Sequence, residues 1–184
     1  MNQYIFGYGS LMNSASRKLT GQTSEAIPAT VDGLRRYWGK VGDNNTLSPL
    51  VVSQGQGKVN GVILQINDQE LHEFDIRENG YQRIPLEHTC ITSQLTLSTN
   101  DIVWIYTKDH SEPPCTLSPI MQTYVDTVLS GCLEISEDFA KQFIKQTIGW
   151  NFPIENDRLD PKYKNYAGVE KHHYPLIDKL VQGG

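Results

Sequence analysis

The sequence predicts an α+β fold. Runs of β-branched and aromatic residues fill the centre of the chain, and blocks with apolar residues at helical spacing lie on both sides of them. Glycine, asparagine and proline mark the junctions. Periodicity by itself says mixed α and β and goes no further.

Taken in order, Tyr4-Ile5-Phe6 reads as a short apolar strand that runs into Gly7-Tyr8-Gly9-Ser10-Leu11-Met12. Ser14 then caps a helix in which Arg17 and Lys18 fall late, with Gly21 placed to end it. Strands follow over 26 to 38, 46 to 53 and 58 to 66. Gly61 inside the last run marks a bulge or a close backbone approach. Asn67, with Glu70 three positions on, forms a capping box, and Leu71 and Phe74 set the apolar stripe of a helix that runs out at Asn79-Gly80. Two more strands are expected at 81 to 92 and 101 to 107, the second with Val103 and Ile105 on one face and Trp104 and Tyr106 on the other. Ser118-Pro119 opens a helix through Tyr124, Val125, Val128 and Leu129 to Gly131. Ser136 opens another, with Phe139, Phe143, Ile144 and Ile148. The segment from Gly149 to Gly168 reads as an ordered surface loop packed through Trp150, Phe152 and Tyr163. No internal repeat or low-complexity tract is present.

Composition narrows the function. A length of 184 residues with 38% hydrophobic content suits one compact domain spanning 1–184. A net charge of −5 offers no cationic footprint for nucleic acid. No stretch has the length and apolarity of a membrane span, and the N-terminus lacks the pattern of a signal peptide, so a cytoplasmic location is expected. Cys90, Cys115 and Cys132 form an odd set without metal-ligand spacing and read as reduced thiols. Asn44-Asn45-Thr46 fits the glycosylation pattern but requires a secretory route. His172-His173 lacks a third ligand, and neighbours on a regular element point apart, so no metal is expected. Gly183-Gly184 reads as a frayed end.

Two segments carry the chemistry. Glu78 falls near the C-terminal end of the Asn67 helix, where unpaired carbonyls disfavour an anion, a setting that suits a proton carrier. A solvated acid, or a pair with Arg77 or Arg83, is the plainer alternative. Glycines 7 and 9 let the amides of Gly9, Ser10 and Leu11 converge on an anion such as a carboxylate. A simple strand-to-helix turn is the plainer reading there. A dinucleotide fingerprint is rejected, because Met12 stands where its third glycine belongs.

Together, Phe6-Gly7-Tyr8-Gly9-Ser10-Leu11-Met12 and Asp75-Ile76-Arg77-Glu78-Asn79-Gly80-Tyr81 resemble the γ-glutamylcyclotransferase-like superfamily, in its AIG2-like or γ-glutamylamine cyclotransferase-like form. Its hallmark is a tyrosine-glycine-serine loop plus one catalytic glutamate. A third stretch, Ser118-Pro119-Ile120-Met121-Gln122-Thr123-Tyr124-Val125 followed by Gly131-Cys132, is similar to the family's proline-and-tyrosine helix start and small-residue helix end. The resemblance spans residues 4 to 135.

The resemblance implies a small mixed β-barrel or strongly curved sheet flanked by helices, no cofactor and no metal. It implies Glu78 as the catalytic residue, Gly9, Ser10 and Leu11 on the substrate carboxylate, and Tyr8 and Tyr124 lining the pocket. Tyr81 stands near a corresponding position, with its role left open. The implied reaction is attack of the α-amine of a γ-glutamyl compound on its own γ-carbonyl, releasing 5-oxoproline and an amine or amino acid. The implied partner is that small molecule alone, with no nucleic acid and no membrane. Two rivals remain: a non-catalytic ligand-binding module that kept the pocket, and an interaction protein using the 149–168 loop.

Overall fold

A computed structural model describes residues 1–41 and 46–184. Asn44 and Asn45 of the Asn44-Asn45-Thr46 pattern therefore lie outside the described residues. The frame is a seven-stranded mixed sheet built from β1 (Gln3–Gly7), β2 (Ala26–Trp38), β3 (Leu50–Ile66), β4 (Gln82–Pro85), β5 (Ile91–Ser93), β6 (Ile102–Thr107) and β8 (Thr147–Ile148). The order is β4-β6-β1-β3-β2-β5, with β8 also paired to β2. β1 lies in the middle, antiparallel to β3 and parallel to β6. The edge strands β4 and β5 do not pair with each other, so the sheet is open and the barrel alternative is corrected. Helices α1 (Ser14–Leu19), α2 (Asp68–Arg77), α3 (Gln122–Ile135), α4 (Glu137–Lys145) and α5 (Tyr174–Gln182) flank it. β7 (Ile120–Met121) and β9 (Ile154–Glu155) form a separate two-stranded sheet.

Alternation along the strands sorts side chains into two cores. Ile5, Val62, Leu64 and Tyr106 point to the helices and pack with Phe74, Val125, Val128 and Phe143. Tyr4, Phe6, Ile63, Val103 and Ile105 point the other way, where Ile84, Leu86, Ile91, Leu95 and Leu97 cover them. The expected split of Val103 and Ile105 from Trp104 and Tyr106 is met.

Several expectations change on contact with the structure. The two strands expected at 46–53 and 58–66 are one continuous β3 that begins only at Leu50, because each half pairs with β2 across a single register shift between Asp32 and Leu34. The irregularity thus sits opposite Gly33, and Gly61 marks a close approach, its position facing the Gly7 carbonyl. The strand expected at 81–92 breaks into β4 and β5 around a 3-10 turn at His88–Cys90. Asn13, not Ser14, caps α1: its side chain accepts from the Ser16 amide and it is fully buried. The helix expected from Ser118-Pro119 begins at Gln122 after β7, and it continues past Gly131 to Ile135. Gly131 serves contact rather than termination, since a Cβ there would lie 2.4 Å from the Asn13 nitrogen. Ile148 leaves the α4 helix and joins β8, while Ser136 caps α4 as expected. α5 has no counterpart in the sequence reading. The rings of His172 and His173 do not point apart; they lie 4.1 Å from each other. Among the described residues no cluster of three metal-ligating side chains occurs, and no helix is long and apolar enough to cross a membrane.

One charged side chain ties the layers together. Arg36 is fully buried, in phase with Leu34 and Trp38 on the inward face of β2. Its guanidinium donates to Thr147 Oγ1 at 2.8 Å, Asn60 O at 2.7 Å and Asn60 Oδ1 at 2.8 Å. It also donates to Phe143 O and Tyr8 O, each at 3.2 Å, and covers the Phe143 ring. Burial lowers its pKa to about 9.

Two substitutions test this frame. Gly131→Ala drives a methyl into the Asn13 backbone and should cost about 1–3 kcal/mol in a denaturant titration. Arg36→Met strips donors from buried carbonyls and should cost at least about 1–3 kcal/mol by the same measurement.

Candidate active site

Tyr8 follows the end of β1, and the chain turns sharply there. The turn closes as a single 3-10 turn at Ser10–Met12, in which Met12 N–H donates to Gly9 O and Asn13 N–H to Ser10 O, both at 3.0 Å. The amides of Gly9, Ser10 and Leu11 donate to no group among the described residues. The direction of the Gly9 amide has a cause. Arg36 holds the Tyr8 carbonyl, and in a trans peptide the next N–H points the opposite way, so the Gly9 amide is turned from the buried guanidinium. Glycine at position 9 leaves room beside Tyr124, since a Cβ there would sit a tight 3.0 Å from its hydroxyl.

Asn13 anchors the far side of the turn. Its Nδ2 donates to Thr127 O at 3.0 Å on α3 and to Ala167 O at 3.1 Å. The turn is therefore clamped between Arg36 below and α3 beside it.

Glu78 reaches the same place from α2. The capping box at Asn67 and Glu70 fixes the start of that helix, and Glu78 is its C-terminal cap, with its N–H donating to Phe74 O at 2.8 Å. Asp75, one turn earlier, accepts from Tyr106 Oη at 2.7 Å and from Arg83 at 2.7 Å, which locks the helix end to β6 and β4. The Arg83 pairing expected as the plainer reading is thus made with Asp75, not Glu78. Glu78 Oε1 does meet Arg77 Nε at 3.2 Å, and its side chain remains 29% exposed.

All six residues singled out from the sequence line one cavity of about 250 Å³: Tyr8, Gly9, Ser10, Leu11, Glu78 and Tyr124. Tyr81 lines it as well. Electrostatics agree with this convergence. Burial raises the Tyr8 pKa well above its ordinary value, and the neighbouring charges of Tyr81 and Glu78 raise it further. Burial likewise raises Tyr124 and Tyr81, with Glu78 again contributing to each. These phenols therefore stay protonated and act as neutral hydrogen-bonding groups. The Tyr8 hydroxyl is already spent on Tyr106 O at 2.8 Å. Tyr81 Oη has no partner among the described residues.

The cavity also contains residues that sequence reasoning did not assign to it. Arg17 and Arg77 are among its lining residues, where Glu78 is the single acidic one. Arg17 is buried and donates to Leu11 O at 2.6 Å, while its Nε has no partner. Burial lowers the Arg17 pKa against the pull of Glu134. Tyr163 and Asn165 complete the wall from the 149–168 segment. A signal for Arg36 was present in its phase with Leu34 and Trp38. None existed for Asn165, which only tertiary folding brings near the turn.

The family described as Gamma-glutamyl cyclotransferase, AIG2-like, matches residues 5–123. A solved gamma-glutamyl cyclotransferase is similar at 16% identity and TM-score 0.60, covering 100% of each chain. The uncharacterized protein loc79017 from Homo sapiens is similar at 15% identity and TM-score 0.57, covering 98% of each. YkqA from Bacillus subtilis is similar at 17% identity and TM-score 0.62, over 84% of this chain and 56% of that one. A search of curated proteins finds no match. At these identities the structures establish a shared fold, and the family match over residues 5–123 establishes kinship: this chain belongs to the gamma-glutamyl cyclotransferase, AIG2-like, family.

Proposed function

We propose that the protein is a γ-glutamyl cyclotransferase, with Glu78 as proton carrier and the Gly9-Ser10-Leu11 amides as the seat of the substrate's α-carboxylate. The observation that carries the reading is the meeting of Glu78 with three unengaged amides in one cavity, although 67 positions (78 − 11) separate Leu11 from Glu78 in sequence.

The chemistry follows from this pairing. Amides fix the α-carboxylate and thereby the end of the glutamyl group that faces Glu78. The carboxylate of Glu78 takes a proton from the α-ammonium, and the freed amine attacks the γ-carbonyl of the same molecule. A ring C–N bond forms as the γ-amide C–N bond breaks; Glu78 returns the first proton to the departing nitrogen, then takes the remaining extra proton from the ring nitrogen and passes it on, so that the amine leaves as an ammonium and the lactam nitrogen keeps one hydrogen. The products are 5-oxoproline and an amine or amino acid. No covalent enzyme intermediate is involved, because the nucleophile belongs to the substrate. Holding the chain folded lets the closure draw on roughly 7 to 11 kcal/mol from proximity and orientation. Tyr81 Oη, protonated and unpartnered, is a donor available to the oxygen that gains charge during attack.

The contact between Arg77 and Glu78 favours one rival reading, a pocket that binds γ-glutamyl compounds without turning them over. A single experiment separates the two. The protein is incubated with a panel of γ-glutamyl compounds and 5-oxoproline is measured. Wild type should form it, and Glu78→Gln should lower the rate by about 10²- to 10⁴-fold with an unchanged melting profile. Equal rates in both proteins would remove Glu78 from the reaction, and binding without product in wild type would establish the rival.

A further inference from the structure

We propose that a groove separate from the Glu78 cavity binds a free α-amino acid with a bulky apolar side chain, its carboxylate on Arg35 and its ammonium on Asp109.

The groove, of about 550 Å³, shares no lining residue with the Glu78 cavity. One side comes from the end of β2. Side chains alternate along a strand, so Arg35 and Tyr37 share the face opposite to Arg36. The stem of Arg35 lies over Gly55 of β3, where a Cβ would stand 2.8 Å from Arg35 Cδ, so the glycine leaves the channel that this side chain occupies. Ile148 of β8 is the register partner of Tyr37 and is 52% exposed. Phe152 and Pro113 add further apolar surface to the same groove. Apolar side chains around a few convergent polar groups are the usual lining of a small-molecule site.

Asp109 arrives on the segment that follows β6. Lys108 N–H donates to Val52 O at 2.8 Å, and Lys108 O accepts from Tyr37 Oη at 2.9 Å. Three residues past Asp109, Glu112 O accepts from Lys40 N–H at 2.8 Å. The backbone on both sides of Asp109 is thus fixed to β3 and to the end of β2 before any ligand arrives, which limits the entropy lost on binding.

Charge decides what the groove takes. Its lining includes two acids and one arginine. Glu112 is engaged by Lys40 at 3.2 Å, whereas Arg35 and Asp109 form no ion pair among the described residues. Burial raises the Tyr37 pKa; of the two charges, Asp109 raises it further and Arg35 lowers it, so both act on one hydroxyl. Opposite charges that both reach Tyr37 yet do not meet leave a gap with a cation on one side and an anion on the other. A zwitterion fits such a gap. An α-amino acid carries carboxylate and ammonium on one carbon, and each can make a charge-assisted bond of about 2.8 Å, one to Arg35 and one to Asp109. A simple amine or a simple carboxylate satisfies only one of them. The side chain on the same carbon then meets Ile148, Phe152 and Pro113. A volume within the range of small-molecule sites, roughly 300 to 1,000 Å³, favours a large side chain over a small one.

L-phenylalanine is the probe. N-acetylphenylalanine lacks its ammonium, phenylalaninamide its carboxylate and glycine its side chain. Isothermal titration of the full chain should give a dissociation constant of about a millimolar or lower for phenylalanine, and one about tenfold higher for each of the other three. Arg35→Gln should erase the advantage of phenylalanine over phenylalaninamide and leave the affinity for the amide unchanged. Asp109→Asn should erase the advantage over N-acetylphenylalanine in the same way. Both residues are exposed, so each variant should keep the wild-type melting profile. Absence of binding up to about 20 mM, equal affinity of wild type for phenylalanine and either derivative, or an advantage that survives either substitution overturns the proposal. None of these outcomes depends on turnover, so the groove is judged apart from the cyclotransferase reading.

Discussion

The buried guanidinium of Arg36 is the interaction on which the arrangement of this protein depends. It is a cation removed from water, and none of its partners is a carboxylate. Five hydrogen bonds to neutral oxygens carry the charge instead. One of those oxygens, Phe143 O, lies in the last turn of α4, where aligned peptide dipoles concentrate negative potential. The same fork joins β2 to Asn60 on β3, to Thr147 on β8 and to the carbonyl of Tyr8. Loss of any one partner leaves the charge worse solvated, so the positions of sheet, helix and glycine turn are mutually determined. Because the Tyr8 carbonyl is held by the guanidinium, the N–H of the same peptide, that of Gly9, is left facing away from the cation.

A second set of bonds sets the other half of the site. Without Asp75, the end of α2 would rest on Phe74 and the Asn67 capping box. With it, Tyr106 and Arg83 fix the helix to two strands, and Tyr106 in turn supplies the carbonyl that accepts from Tyr8. A short path thus runs from the helix that carries Glu78 through Asp75 and Tyr106 to Tyr8, next to the glycine turn. The glutamate and the amides are coupled by packed, hydrogen-bonded groups rather than by sequence proximity.

Much of this was legible in the sequence wherever the cause is local. The Asn67 capping box, the Ser136 cap, the β2 bounds and the two-faced pattern of β6 all follow from residues within a few positions of one another. Expectations failed where distant contacts decided the outcome. Ser14 is as good a cap as Asn13 by composition, but Asn13 also bonds to Thr127 and Ala167. Gly131 has the composition of a helix end, yet its lack of a side chain is used to admit the Asn13 backbone. The polar stretch at 53–58 suggests a break between strands, but pairing with β2 carries β3 through it. Within the site, Glu78 and the turn stood out by residue type and order. Arg17, Tyr163 and Asn165 did not, because nothing near them in the chain indicates which surface they meet.

The contact of Arg77 with Glu78 acquires a role in light of the proposed reaction. A carboxylate at the end of a helix, beside its unpaired carbonyls, is stabilised by a nearby cation. Arg77 supplies one from the neighbouring position, and its own plane rests on the Phe74 ring. Both partners remain about a third exposed, so the pair is worth little and is easily exchanged. In the proposed reaction, the α-ammonium of a γ-glutamyl compound fixed through its carboxylate on the turn amides would arrive as a competing cation inside the cavity. Exchange of guanidinium for ammonium then costs little, because one charge-assisted bond replaces another. It also moves the proton donor to the acceptor only when substrate is in place. On the proposed reading the free protein thereby keeps Glu78, the one acidic residue lining the cavity, paired with Arg77 until substrate takes the guanidinium's place.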